Sequence, residues 1–253
     1  VFRAHEVAHQ WWGIGVDFAT YRDQWLSEGF STFAALWYLQ TVRGDVKQYF
    51  EILDEYKADL LVRGEDAAPI GLGYRTADAD NPGDYNLIVY EKGAWVLHML
   101  RAMMIDLKSM QEDRFTGLMK DFYQDYRGKR ASTADFQRAV EQHTGQDMGW
   151  FFSQWVYQSA IPTYRVAYQV VGAPDGQYLV RFRVRQQDVP AEFQAYVPIG
   201  LEMGKDQWVR VRKKVTGPLT EFELGPLPSK PKSVKFNDLD GVLADVKPEG
   251  WGG

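Results

Sequence analysis

The 253-residue chain contains no cysteine, so it can form no disulfide and offers no thiolate to a metal. That absence suits any compartment and leaves the cytoplasm and a periplasmic or extracellular setting equally open. No apolar run approaches the roughly 20 residues needed to span a bilayer, which excludes a transmembrane reading. Positive charge is in deficit, with 29 Lys and Arg against 34 Asp and Glu and a net charge of -5. A general nucleic-acid grip needs concentrated positive potential, and this balance argues against one. Histidine is scarce too: there are four, and two of them fall within the first nine residues. What remains is ordinary for a soluble globular protein, 45% hydrophobic and 25% charged, with ample material for a core.

Those two histidines lie in His5-Glu6-Val7-Ala8-His9, and Trp25-Leu26-Ser27-Glu28-Gly29 follows. On a helix His5 and His9 stand one turn apart on one face, so both imidazoles can reach one ion. Glu6 is turned by about 100° from His5 and is suited to holding a water beside the metal. Glu28, on a following helix, supplies a third ligand. Two histidines, one carboxylate and an open fourth position describe a catalytic zinc site, because structural sites are closed by four protein ligands.

The segments HEVAHQWWG and WLSEGFSTF, their spacing, and the later Tyr90-Glu91-Lys92-Gly93 resemble the M1 family of zinc aminopeptidases, a gluzincin branch with a thermolysin-like catalytic domain. The resemblance implies one Zn2+ on His5, His9 and Glu28, with Glu6 polarising the water and Tyr90 stabilising the tetrahedral intermediate. It implies a peptide substrate losing its N-terminal residue. A gluzincin endopeptidase and a non-catalytic scaffold of the same fold are the competing readings. The family commonly has an acidic residue seven positions after the glutamate ligand, and this sequence has Ala35 there. The Gly-x-Met-Glu-Asn segment with which the family holds a free amine does not occur. With Val1 only four residues before His5, the chain reads as a fragment. It is expected to be a poor aminopeptidase alone, its exposed surface covered by upstream polypeptide or by self-association.

Along the chain, the pattern predicts a helix from Val1 to about Gly13 and a second from near Asp23. Further helices are predicted over Val46–Leu61, Leu87–Leu107 and Asp113–Tyr126, then one capped by Ser132 and Asp135, and a last one starting at Asp147. Either Trp11 or Trp12 is expected in the core. Lys92 is expected in solvent, His98 packed and hydrogen-bonded, and His143 at a helix end. Arg63 to Tyr85 reads as a long irregular tract, and its Gly71-Leu72-Gly73 is no dinucleotide fingerprint. After Pro162 the period drops to two, with Gly172-Ala173-Pro174-Asp175-Gly176 as a hairpin turn. Short strands follow near Phe193–Ile199, Trp208–Val211, Glu221–Leu224 and Ser233–Phe236. The expected fold is a mainly α-helical lobe of a thermolysin-like zinc peptidase domain (1–161), then a small antiparallel β-sandwich (162–248) and a fraying tail (249–253).

Overall fold

The computed structural model describes residues 1–63, 68–77 and 81–252. The chain divides into two compact units, Val1–Ile105 with Glu112–Ala160, and Asp106–Gln111 with Ile161–Gly253.

The first unit is helical. Helix α1 covers Phe2–Ala8 and stops well short of Gly13. Beyond it Trp12 is buried and Trp11 exposed, which meets the expectation of one tryptophan in the core. Gly13, at φ 104°, reverses the chain into β1 (Val16–Phe18). A 3-10 turn over Tyr21–Leu26 follows, closed by a capping box in which Thr20 and Asp23 exchange hydrogen bonds. Asp23 therefore caps that turn instead of opening the next helix, and α2 runs over Glu28–Thr41. Helix α3 spans Val46–Arg63, and a 3-10 stretch over Ile70–Thr76 lies within the tract expected to be irregular. Residues 64–67 and 78–80 of that tract lie outside the described residues.

The predicted helix from Leu87 to Leu107 is two elements. Asn86–Lys92 forms a π turn, and α4 covers Gly93–Met104. Lys92, expected in solvent, is fully buried, its Nζ donating to the Gln158 carbonyl at 3.1 Å. Helices α5 (Asp113–Tyr126), α6 (Thr133–Thr144) and α7 (Gly149–Trp155) complete the unit, with β2 (Lys129–Ala131) pairing parallel to β1. The capping box of Ser132 and Asp135 at α6 is present. His98 takes a 2.7 Å hydrogen bond with the Tyr49 hydroxyl inside the core. His143 pairs with Asp121 at 3.2 Å in the last turn of α6.

Aromatic rings hold these helices together. Phe30 of α2 meets Phe136 of α6 at 4.9 Å between centroids, and Phe122 of α5 meets Phe136 at 5.0 Å. Beside them the buried Trp25 indole donates to Thr133 Oγ1 at 2.9 Å. Where α2 passes the start of α4, Gly29 and Gly93 face each other; a Cβ on Gly29 would lie 2.9 Å from the Gly93 Cα.

The second unit carries two sheets. One has strand order β7-β4-β3-β9, the other β6-β5-β8. Their strands are β3 (Thr163–Gly172), β4 (Tyr178–Gln187), β5 (Gln194–Gly204), β6 (Gln207–Thr216), β7 (Leu219–Leu227), β8 (Ser233–Phe236) and β9 (Asp245–Pro248). The hairpin β3–β4 turns where expected, with Asp175 left-handed at φ 60°. Strand β9 has too few residues to display a period, and it pairs parallel to β3, so the first sheet is mixed and not purely antiparallel. On the outward face Arg181 and Arg183 of β4 sit directly opposite Glu223 and Glu221 of β7. Exposed pairs of this kind contribute about 0–1 kcal/mol each. Near the C-terminus Glu249 pairs with Arg185, and the Arg183 guanidinium lies 5.1 Å from the Trp251 ring. Among the described residues no helix is long and apolar enough to cross a membrane.

Candidate metal centre

Three segments place the site. His5 is on α1, and His9 caps its C-terminal end. Glu28 opens α2, and Tyr90 lies within the π turn before α4. Among the described residues, His5, His9 and Glu28 form the group able to hold a metal ion. His5 Nε2 and His9 Nε2 are 3.0 Å apart, and Glu28 Oε2 is 3.4 Å from the first and 3.3 Å from the second. A tetrahedral ion with bonds near 2.05 Å separates its ligands by about 3.3 Å, so one zinc fits this triangle without rearrangement.

The rings are held from behind. His9 Nδ1 lies 2.9 Å from the Trp12 carbonyl, and since a carbonyl only accepts, this nitrogen carries the proton. Ser31 Oγ and Ser27 Oγ stand 3.1 Å and 3.4 Å from the same nitrogen. His5 Nδ1 has Thr32 Oγ1 at 3.1 Å. Burial pushes the Glu28 carboxyl up, but when the rings are protonated the hydrogen bond from His5 and the charges of His9 and His5 outweigh this and hold it below the ordinary range.

Tyr90 stacks on His5, with centroids 5.6 Å apart and planes at 12°, and its hydroxyl adds to the influences that lower the Glu28 carboxyl. Burial and then the Glu28 charge push the Tyr90 phenol well above its usual value, so it keeps its proton. Tyr85 meets Tyr90 edge-on at 5.6 Å. The π turn matters here, because insertions of this kind re-aim side chains and recur at functional sites.

These groups line a cleft of about 550 Å³ that also takes in Glu6, exposed on α1. The structure thus brings all five sequence-predicted residues to one cleft. Tyr56 from α3, and Asn86 and Glu91 from the π turn, also line it. Asn86 Nδ2 donates to Glu91 Oε1 at 3.0 Å. Burial, with the nearby Asp59 charge, pushes the Glu91 carboxyl up to about 7. Tyr90-Glu91-Lys92-Gly93 pointed only at Tyr90, and no motif marks Thr32, Tyr56 or Asn86.

The family model described as "Peptidase family M1 domain" matches residues 2–155. This chain belongs to peptidase family M1. Among curated relatives it is 29% identical over 205 residues to Aminopeptidase M1 of Arabidopsis thaliana, covering 79% of this chain and 22% of that protein. It is 26% identical over 168 residues to glutamyl aminopeptidase of Rattus norvegicus, covering 65% of this chain and 17% of the relative. Legionella pneumophila aminopeptidase A, solved in complex with aspartic acid, superposes with a TM-score of 0.65 at 21% identity. That match takes in 97% of this chain and 26% of the other, and it speaks for the fold. This M1 chain therefore spans only about a sixth to a quarter of the length of these relatives.

Proposed function

We propose that this chain carries the zinc chemistry of an aminopeptidase that removes N-terminal residues from peptides. His5 Nε2, His9 Nε2 and Glu28 Oε2 hold one Zn2+, and Glu6 and Tyr90 act on the substrate. In the same reading residues 1–161 are the helical part of a thermolysin-like peptidase domain, and residues 162–248 are a β-sandwich. The observation that carries the proposal is the ligand triangle, whose edges of 3.0, 3.3 and 3.4 Å suit tetrahedral zinc.

Zinc in such a site polarises a carbonyl and makes water acidic enough to attack near neutral pH. Glu6, in the same cleft, takes the proton of the attacking water and returns it to the departing amine. Tyr90 keeps its proton and donates to the oxygen on which negative charge develops. Its stacking on His5 keeps the ring at the metal side of the cleft.

Metal analysis after mild dialysis tests the ligands: about one zinc per chain is expected, falling sharply in Glu28→Ala. Equal zinc in both proteins would sink the ligand set. Activity is tested with an unblocked peptide and its N-acetylated counterpart, with Glu6→Gln as the inactive control. Efficient internal cleavage of the blocked peptide would replace the aminopeptidase reading with an endopeptidase one. The exposed Phe2, Trp11 and Ile14 support a cover for this face, by further polypeptide or a second copy. Sedimentation showing a monomer at all concentrations would remove the second-copy form.

A further inference from the structure

We propose that Thr32 is a positioning residue whose hydroxyl fixes His5 as the Nδ1–H tautomer and turns its Nε2 lone pair toward the metal. The inference rests on the zinc reading given above. Thr32 Oγ1 lies 2.8 Å from the Glu28 carbonyl oxygen and 3.1 Å from His5 Nδ1. A carbonyl only accepts, so the single hydroxyl proton goes to Glu28. Toward His5 the oxygen is then left with lone pairs alone, and Nδ1 must carry the ring proton.

His9 reaches the same tautomer against the Trp12 carbonyl. In the neutral rings both Nε2 lone pairs consequently face each other across 3.0 Å, an arrangement that repels by itself and that a cation between them relieves. A free imidazole prefers its proton on Nε2, which would block the ligand position. The two acceptors reverse that preference before any metal arrives.

Thr32 also ties the elements of the site together. It sits one turn after Glu28 on α2, and its hydroxyl joins the ring on α1 to the backbone of the carboxylate ligand. Both Thr32 and His5 are buried, so solvent does not readily replace a lost partner. Ala35, where the family commonly has an acidic residue, has no polar side-chain atom to offer. His5 is thus backed by a neutral hydroxyl, and removing it leaves a buried N–H without an acceptor.

The test compares Thr32→Val, which keeps the shape, with Thr32→Ser, which keeps the hydroxyl. Zinc affinity is measured by competition with a chromophoric chelator. Thr32→Val is expected to weaken binding by about 10- to 100-fold, as losses behind a metal ligand generally do, with Thr32→Ser within about threefold of wild type. Nitrogen-15 spectra of metal-free wild type, above the pH at which imidazole is protonated, should show His5 as Nδ1–H. In Thr32→Val that signal should move toward Nε2–H while His9 stays unchanged. Equal zinc affinity in Thr32→Val and wild type overturns the assignment, and so does a wild-type His5 in the Nε2–H form. Equal weakening in both variants overturns it in favour of packing. Wild type that binds no zinc while His5 is Nδ1–H sinks the metal reading and leaves the tautomer assignment standing.

Discussion

Tyr90 and Lys92 lie two residues apart on one turn and face opposite environments, and each carries a separable prediction. Tyr90→Phe keeps the ring that stacks on His5 and removes only the hydroxyl. In the complete, zinc-loaded enzyme, turnover is expected to fall by roughly 10²–10³-fold with zinc content unchanged, the usual cost of one oxyanion donor. A loss below about threefold would return Tyr90 to the core. Lys92 is a buried cation with a carbonyl as partner, and burial lowers its pKa to about 8. Between that value and the ordinary 10.5, the unfolded chain binds the proton and the folded chain releases it. Stability from this group therefore rises with pH through that window, and the burial penalty is fully felt below about 8. Relative to Lys92→Met, wild type is expected to gain on the order of 2–3 kcal/mol between about pH 7 and 10. Denaturant midpoints of both proteins at the two pH values measure it, and a constant difference would contradict the buried charge. No residue pattern marks this burial, because Lys92 in a regular helix has an equal claim to the outer face.

At the scale of elements, the site depends on how closely α2 approaches α4. Gly29 follows the Glu28 ligand directly, and Gly93 follows the turn that carries Tyr90. A Cβ on Gly29 would come within 2.9 Å of the Gly93 Cα and 3.0 Å of the Val89 carbonyl oxygen, and backbone does not yield as a side chain does. Gly29→Ala is therefore expected to destabilise by about 1–3 kcal/mol, as overpacking does, and to lower zinc affinity by parting Glu28 from the histidines. Melting and chelator competition on one preparation would show both losses; an unchanged protein would mean that the helices have slack. The ligands were readable because they are local: His5 and His9 share one helix turn, and Glu28 opens the next long helix. Tyr56, Asn86 and Glu91 reach the cleft from segments far apart in sequence, which no spacing rule connects. The π turn was hidden for another reason. One extra residue shifts the helical period too little to be noticed among Val89, Gly93, Val96 and Leu100, yet it decides where Tyr90 points.

For the whole molecule, every residue proposed for chemistry belongs to the first unit, and this gives zinc an uneven effect on stability. A ligand that binds only the folded state adds about 4 kcal/mol at 1,000 times its Kd. Hydrogen exchange with and without zinc should show the added protection in α1 and α2 and little change across β3 to β7. Uniform protection over both units would mean that they unfold together. The switch of period after Pro162 made the strand-rich half visible in sequence, whereas β9, four residues long, had no period to show. Nor could periodicity reveal that Asp106–Gln111, between α4 and α5, belongs with the strands. That short loop has a consequence for synthesis. It leaves the ribosome roughly fifty residues ahead of Ile161, where the rest of its unit begins. At about 5–20 residues per second the gap lasts roughly 2.5–10 s. Over those seconds α4 is already made and α5 to α7 are emerging, while the strands the loop will join have yet to be translated.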